Sequence, residues 1–368
     1  MIYTTPSSTI LDKITENTSS TIYDGSSIAE VLTAEGFPCR FVSHQSAPQV
    51  TTYHFNLCRL SHITNASKAA RMLSARTRSN VQIVASAFGD VAFAIPKRAR
   101  RSVQLKEVLC SGLFIDAPPL LAALGVTNEG DPLTFDIAKM PHVLIAGATG
   151  SGKSVCLNTI ICSLLMRTTP ADAQFIMIDP KKVELTTYNG LPQLIRPVIT
   201  DTREAISILQ AACKFMDERY STMKGKCRNA AELGMPSVVI IIDELSDLMI
   251  TSKYEAEDSI IRLAQLGRAA GIHLIIATQR PTVNVITGLI KSNIPCKIAL
   301  QVSSIRDSLN VIDHKGAESL LGRGDALLKL PSQVDEIRFQ TAYTSDKEIE
   351  NIVNYCKFHA MEKVNKNV

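Results

Sequence analysis

From about residue 106 the chain alternates short, wholly apolar runs with longer stretches that are apolar at helical spacing. The runs are HVLIAG, FIMID, VVIIID, IHLIIAT, KIALQV and ALLKL. A strand with no polar side is buried on both sides, so this pattern predicts an α/β domain with a parallel sheet covered by helices on both faces. SVCLNTIICSLLMR, after the first run, is one of those helices. GVTNEGDPLTFDI predicts a hairpin around Gly130-Asp131. Residues 26 to about 105 follow another pattern. SSIAEVLTAEGF reads as a helix stopped near Gly36, and NASKAARMLSAR as a second helix with Asn65 as N-cap. QVTTYHFNL, NVQIVASAF and DVAFAIP read as strands, the last two joined by a Gly89-Asp90 turn. Residues 1–25, rich in Ser and Thr, read as a mobile arm, and DKEIENIVNYCKFHAMEK as a terminal helix that frays. The expected organisation is an arm (1–25), a small α+β cap domain (26–105), a larger α/β domain (106–345) and a helix with tail (346–368).

The length of 368 residues suits about two domains. Nine scattered cysteines, with no C-x-x-C pair, predict reduced thiols and a cytoplasmic setting rather than a disulfide framework or a zinc site. No apolar run approaches the roughly 18 residues of a membrane span, and MIYTTPSSTILDK lacks a signal pattern, so no membrane insertion is expected. The whole-chain charge of +4 says little about partners. Its distribution says more. Residues 26–107 carry eleven Lys and Arg against four Asp and Glu, densest at KRAR and Arg101. That run is either a solvated linker face or a basic rim turned toward a polyanion.

Candidate chemistry begins at IAGATGSGKSV. Gly147, Ala148, Thr149, Gly150, Ser151, Gly152, Lys153, Ser154 and Val155 fit the phosphate loop G-x-x-x-x-G-K-S/T and its opening helix. Glycines let backbone N–H groups converge on phosphate oxygens, and the order strand, loop, helix puts phosphate at a helix N-terminus. Lys153 suits the β- and γ-phosphates of ATP, and the Ser154 hydroxyl suits Mg²⁺. PSVVIIIDEL ends a buried strand in Asp243 and Glu244. Ligands sit at such carboxyl ends, so Asp243 suits Mg²⁺ through water and Glu244 suits the attacking water. Asp179 and Lys181 end another strand; Asp179 is either a loop-start carboxylate or part of the metal shell. Gln279, after Thr278, is either a γ-phosphate contact or a strand-end cap. Arg268, in QLGRAAGIHL, is a surface residue unless copies of the chain form a ring, where it can act as an arginine finger.

MPHVLIAGATGSGKSV, FIMIDPKKVEL, VVIIIDELSDLM, RLAQLGRAAGIHLIIATQRPTVNVITGLIKSNIP and GAESLLGRGDAL together resemble the FtsK/SpoIIIE DNA translocases, within the HerA-like hexameric ATPases. The resemblance is strong over about 105–345 and weak over 26–105. It implies a RecA-like motor domain that assembles with itself as a six-membered ring around double-stranded DNA and hydrolyses ATP. It implies nucleotide contacts for Lys153 and Ser154, the acidic motif for Asp243 and Glu244, and a sensor role for Gln279. It implies a finger acting across the subunit interface for Arg268, and DNA-channel positions for Arg280 and Lys291. Three departures stand out. Membrane helices and a terminal winged helix, expected in chromosome-segregating members, are missing, which implies a short, soluble form. Ile305 stands where a basic residue is expected, with Arg306 adjacent as a possible substitute. Two rival readings are a protein-export ATPase and a non-translocating DNA-binding ATPase scaffold. Stimulation of ATP turnover by duplex DNA separates the motor from the exporter, and strand movement separates it from the scaffold.

Overall fold

The computed structural model describes residues 5–14, 23–58, 60–87, 90–98, 101–333 and 335–364. They form two compact units. The smaller comprises Ile14–Val103 and Val126–Leu133, and the larger Met1–Lys13, Gln104–Gly125 and Thr134–Val368.

The smaller unit runs α1 (Gly25–Ala34), β1 (Cys39–Ser46), β2 (Val50–Leu57), α2 (Ala66–Thr77), β3 (Gln82–Ala87) and β4 (Asp90–Pro96). Its four strands form an antiparallel sheet in the order β1-β2-β4-β3. Ile28 and Leu32 of α1 and Leu73 of α2 share one core with Tyr53, Phe55, Phe93 and Ile95 of the sheet. Asp24 caps α1 by accepting the Ser27 N–H at 2.8 Å, and Gly36, at φ 85°, ends it as expected. Asn65 stands at the start of α2, but its side chain makes no capping bond there. The strand β1 is an addition to the expected pattern. Beyond Cys39 it is largely exposed and bulges between Phe41 and Ser43, so CRFVSHQS lacks the alternation of a half-buried strand. Ala87 pairs with Asp90, closing the expected hairpin; its Gly89 lies outside the described residues. Arg59 and Arg100 lie outside them too.

The chain continues with β5 (Val103–Gln104), α3 (Leu105–Leu109), β6 (Leu121–Thr127), β7 (Pro132–Asp136), β8 (His142–Ala146) and α4 (Lys153–Leu165). Next come β9 (Ala173–Ile178), α5 (Thr202–Met223), β10 (Ser237–Ile242), α6 (Leu245–Thr251), α7 (Lys253–Leu266) and β11 (Ile272–Thr278). The chain closes with α8 (Gly288–Asn293), β12 (Cys296–Leu300), α9 (Ile305–Ile312), β13 (Asp325–Lys329), β14 (Ile337–Tyr343) and α10 (Asp346–Val364). The ten-stranded sheet has the order β7-β6-β14-β13-β12-β8-β11-β10-β9, with β5 against β14.

Five strands, β12, β8, β11, β10 and β9, are parallel, as the apolar runs predict. The sheet as a whole is mixed, which corrects the all-parallel expectation. Strand β13, the ALLKL run, is antiparallel to β12, and β14 is antiparallel to β13. Burial of both faces makes a strand apolar whichever way it points, so hydrophobicity alone carries no direction. The short connection from β13 to β14 suits only an antiparallel pair. On one face Ile240, Ile242, Leu274 and Ile276 pack against Leu209, Leu248, Ile260 and Leu263 of α5 to α7. On the other, α4 packs against β8, β14 and α10.

Residues 5–14 depart from the mobile arm expected there. Leu11 is buried, and the Asp12 N–H donates to Glu348 of α10 at 3.0 Å. No helix among the described residues is long and apolar enough to cross a membrane.

Candidate functional site

Strand register assembles the site. Ile242 of β10 lies opposite Ile276 of β11 and Ile178 of β9, and Thr278 of β11 lies opposite Ala146 of β8. Parallel strands in this register all finish at one edge. Gly147, Asp179, Asp243 and Gln279, each one residue past its strand, therefore emerge together.

The loop 147–152 leaves β8 and turns into α4, which begins at Lys153. Gly152 sits at φ 104°, in the left-handed region. A Cβ there would also stand 2.5 Å from the Gly324 nitrogen. A Cβ on Gly147 would meet Ser151 Oγ at 2.5 Å. The loop is braced on several sides. Ala148 N–H donates to Gln301 O at 2.8 Å, and Ser151 O accepts from Gly324 N–H at 2.7 Å. The Thr149 hydroxyl donates to Gln279 Oε1 at 3.0 Å, tying the loop tip to the end of β11. Gly150 is also left-handed, at φ 80°, and Val155 follows in the first turn of α4. The result is a rigid concave turn capped by a helix N-terminus, which is the geometry of a phosphate cradle.

Beneath it lies a set of paired charges. Lys153 is buried; its Nζ is 2.6 Å from Asp243 Oδ1 and 2.8 Å from the Asp243 carbonyl oxygen. Glu244 is fully buried and richly partnered. Its Oε1 accepts the hydroxyls of Thr278 at 2.7 Å and Ser246 at 2.8 Å, and Lys181 donates to Oε2 at 3.0 Å. Burial alone pushes the Glu244 carboxyl up, but the two hydroxyls and the Lys181 ammonium outweigh it and hold the pKa below its usual value. Glu244 is thus an anion, able to accept a hydrogen bond from water. Ser154 Oγ donates to Glu184 at 2.6 Å. Asp179 is fully buried and accepts the N–H groups of Glu184 and Leu185 at 3.0 and 2.9 Å. Both sequence readings of Asp179 stand: these bonds are those of a loop-start carboxylate, and its Oδ1 is buried without a hydrogen-bond partner, as Asp243 Oδ2 is.

A hard divalent cation fits the donors present. Asp243 Oδ2 is buried without a hydrogen-bond partner, and the same carboxylate meets Lys153, the residue before Ser154 in α4. No group of three or more His, Cys, Asp or Glu among the described residues could hold a metal by itself. Mg²⁺ matches this arrangement, since it is commonly held by one or two protein oxygens together with substrate phosphates. Ser154 and Asp243 are the residues that would hold it.

The other candidate residues are spread more widely. Gln279 is half-buried at the cradle, and Arg280 follows it, exposed and without an ion pair among the described residues. Lys291 of α8 is committed elsewhere: its Nζ is 2.6 Å from Asp313 Oδ1. Lys297 and Lys329 share the same carboxylate at 3.1 Å each. Three ammonium groups outweigh its partial burial and hold Asp313 far below the usual carboxylate range. Arg268 lies at the amino end of β11, exposed on a cavity of about 500 Å³ lined also by Tyr220, Asn229, Gln265 and His273. Ile305 and Arg306 are both exposed in the first turn of α9. Neighbouring helix positions diverge by about 100°, so Arg306 does not point where Ile305 points. Sequence reasoning missed Glu184 and Ser246. Their signal was local: Glu184 closes the DPKKVEL loop after β9, and Ser246 follows Glu244 by two.

A phosphate cradle on β8, an acidic pair on β10 and β11 between them define a P-loop nucleotide-binding fold of the RecA-like kind. The FtsK/SpoIIIE family model matches residues 104–233 and 225–283. The chain is 43% identical to the DNA translocase FtsK of Leptospira interrogans over 347 residues, 89% of this chain and 36% of that protein. It is 40% identical to FtsK of Clostridium acetobutylicum over 351 residues, 91% and 46% of the two chains. The chain belongs to the FtsK/SpoIIIE family. It spans between 36% and 46% of the length of these two relatives. Among solved structures, the pCW3 conjugation coupling protein TcpA, in its monomer form with ATPγS, superposes with a TM-score of 0.62 at 24% identity, over 89% of this chain and 97% of that one. The cytoplasmic domain of the type VII secretion ATPase EccC of Thermomonospora curvata gives 0.60 at 23% identity, over 70% and 34%. At these identities the likeness is one of fold.

Proposed function

We propose that this chain is an ATP-driven motor that moves double-stranded DNA through a ring of its own copies, six in number. The supporting observation is the separation of Arg268 from Lys153. They flank opposite ends of β11, whose seven residues extend roughly 20 Å at about 3.3 Å per step. A guanidinium that far from its own cradle serves phosphate only on another copy. The substrate is drawn from relatives named as DNA translocases.

In this reading the nucleotide's phosphates take the place of Asp243 on Lys153. Ser154 and Asp243 would hold Mg²⁺, which would supply charge neutralisation for the phosphates. The Glu244 carboxylate, already fixed by Thr278 and Ser246, orients the attacking water. Arg268 of the neighbouring copy meets the charge that develops on the transferring group. Gln279 bonds to the cradle through Thr149 and adjoins Arg280 in sequence, so loss of the γ-phosphate is passed to a residue that grips the DNA backbone. Lys291 joins that grip when it exchanges Asp313 for phosphate. Phosphate contacts carry no sequence preference, which permits stepping along any duplex. No disulfide forms among the described residues, in keeping with a cytoplasmic site of action.

The test is ATP turnover with and without linear duplex DNA, paired with displacement of a third strand from a triplex. Strong stimulation and ATP-dependent displacement are expected. Turnover indifferent to any polynucleotide would overturn the motor reading; stimulation without displacement would reduce it to a DNA-bound ATPase.

A further inference from the structure

The loop DPKKVEL, residues 179–185, meets the site at two points. Its shape is fixed by Asp179, which is fully buried and holds the backbone N–H groups of Glu184 and Leu185 on Oδ2. Leu185 is fully buried as well, and Lys182 takes φ 60° to complete the turn. Val183 points outward, 73% exposed. Lys181 and Glu184, by contrast, turn toward the site. Lys181 reaches Glu244 Oε2 at 3.0 Å, and Glu184 accepts the Ser154 hydroxyl at 2.6 Å.

The second contact has a chemical consequence. A hydroxyl has one proton and two lone pairs, and it rotates to suit its partners. Committing the Ser154 proton to Glu184 leaves the lone pairs facing elsewhere. Asp243 does not take that proton in this structure: its Oδ1 is engaged by Lys153 at 2.6 Å, and its Oδ2 has no hydrogen-bond partner. We propose that Glu184 is a positioning residue: it orients the Ser154 hydroxyl as an acceptor for the divalent cation that arrives with a nucleotide. The inference rests on the phosphate-cradle reading. Glu184 does not itself touch the reacting atoms. It acts through Ser154, as an outer partner of a metal ligand does, and its carboxylate adds negative charge near the cation. Lys181 does the matching work on the water-handling side, fixing the Glu244 oxygen that Thr278 and Ser246 leave over. One loop thereby presets a hydroxyl for the metal and a carboxylate for water.

The experiment is equilibrium binding of a fluorescent, non-hydrolysable ATP analogue, with MgCl₂ and with a chelator in its place. The unmodified protein binds more tightly with magnesium. Glu184→Ala is expected to lose about 10- to 100-fold of that enhancement while magnesium-free affinity stays unchanged. Glu184→Gln keeps an accepting oxygen and is expected to retain most of it. Full enhancement in Glu184→Ala overturns the proposal. So does equal weakening with and without magnesium, which marks a collapsed loop, and so does a Gln variant as impaired as the Ala variant. An unmodified protein that binds no nucleotide under either condition overturns the cradle reading and this one with it.

Discussion

The two edges of the parallel strands β8, β10 and β11 manage charge in opposite ways. At the carboxyl edge, buried charges are kept and compensated: Lys153 sits on Asp243, and Glu244 is surrounded by two hydroxyls and Lys181. At the amino edge no buried ion pair is formed: the buried Arg219 guanidinium donates to the Ala270 and Pro236 carbonyls at 2.7 Å each, and the two buried histidines are held neutral. His142 opens β8 and His273 is second in β11, and burial, the largest influence on each, lowers their pKa values to about 3 and about 4. Arg268, at the same edge, stands exposed on an open cavity. The difference teaches that one chain carries two unlike half-sites. In the proposed motor, one holds phosphate and lacks an outside cation. The other offers a cation and has no phosphate within reach.

The sharpest way to break this comparison is at Arg268. Arg268→Ala is expected to lower turnover by about 10³- to 10⁵-fold with nucleotide affinity unchanged. Mixing it with Lys153→Ala protein should restore part of the activity, because each supplies the half the other lacks. Steady-state hydrolysis across mixing ratios reads this out; a loss confined to Arg268→Ala that no partner rescues would place both halves in one chain. Next comes Glu244→Gln, which keeps the shape but cannot polarise water as an anion. Turnover should fall by about 10²- to 10⁴-fold while nucleotide still binds. Normal hydrolysis in this variant would remove the water-orienting role.

Lys153→Ala tests compensation itself. It strands Asp243 in a site where both side chains are almost wholly enclosed, with 2% and 1% exposure. A loss of about 3–5 kcal/mol in unfolding free energy is expected, alongside loss of nucleotide binding. An unchanged denaturation midpoint would show that the pair relaxes into solvent. The smallest effect belongs to the amino edge. Below pH 6.5 the unfolded chain protonates both histidines, whereas the folded chain does so only near pH 4 and 3. Stability from the neutral rings is therefore complete above pH 6.5 and lost as pH falls from there toward 4 and 3. The expected slope is on the order of 1.4 kcal/mol per pH unit for each ring. Urea midpoints measured from pH 7 to pH 4.5 check it, and His273→Gln should remove about half of the slope.

What the amino-acid order made legible follows from the same contrast. Strand, glycine loop and helix are contiguous in the chain, so Gly147 to Val155 could be read directly, and the apolar run before Asp243 marked its edge. The partners were less visible. Glu184 meets Ser154 across thirty positions of sequence, and Thr278 meets Glu244 across thirty-four. Pairing at that range depends on strand order, which hydrophobic pattern does not encode. The same limit explains the direction of β13, whose ALLKL run is as apolar as its parallel neighbours. It also explains β1, whose exposed outer edge carries no burial pattern to detect.

The cluster around Asp313 has an effect beyond its own ion pairs. Three lysines share a single carboxylate, so the corner formed by α8, α9, β12 and β13 keeps a surplus of two positive charges. Until a phosphate displaces the carboxylate, these ammonium groups stay gathered at one point. A polyanion passing the corner meets a standing field whose strength is set by the backbone, and whose pull weakens as added salt shortens the screening length.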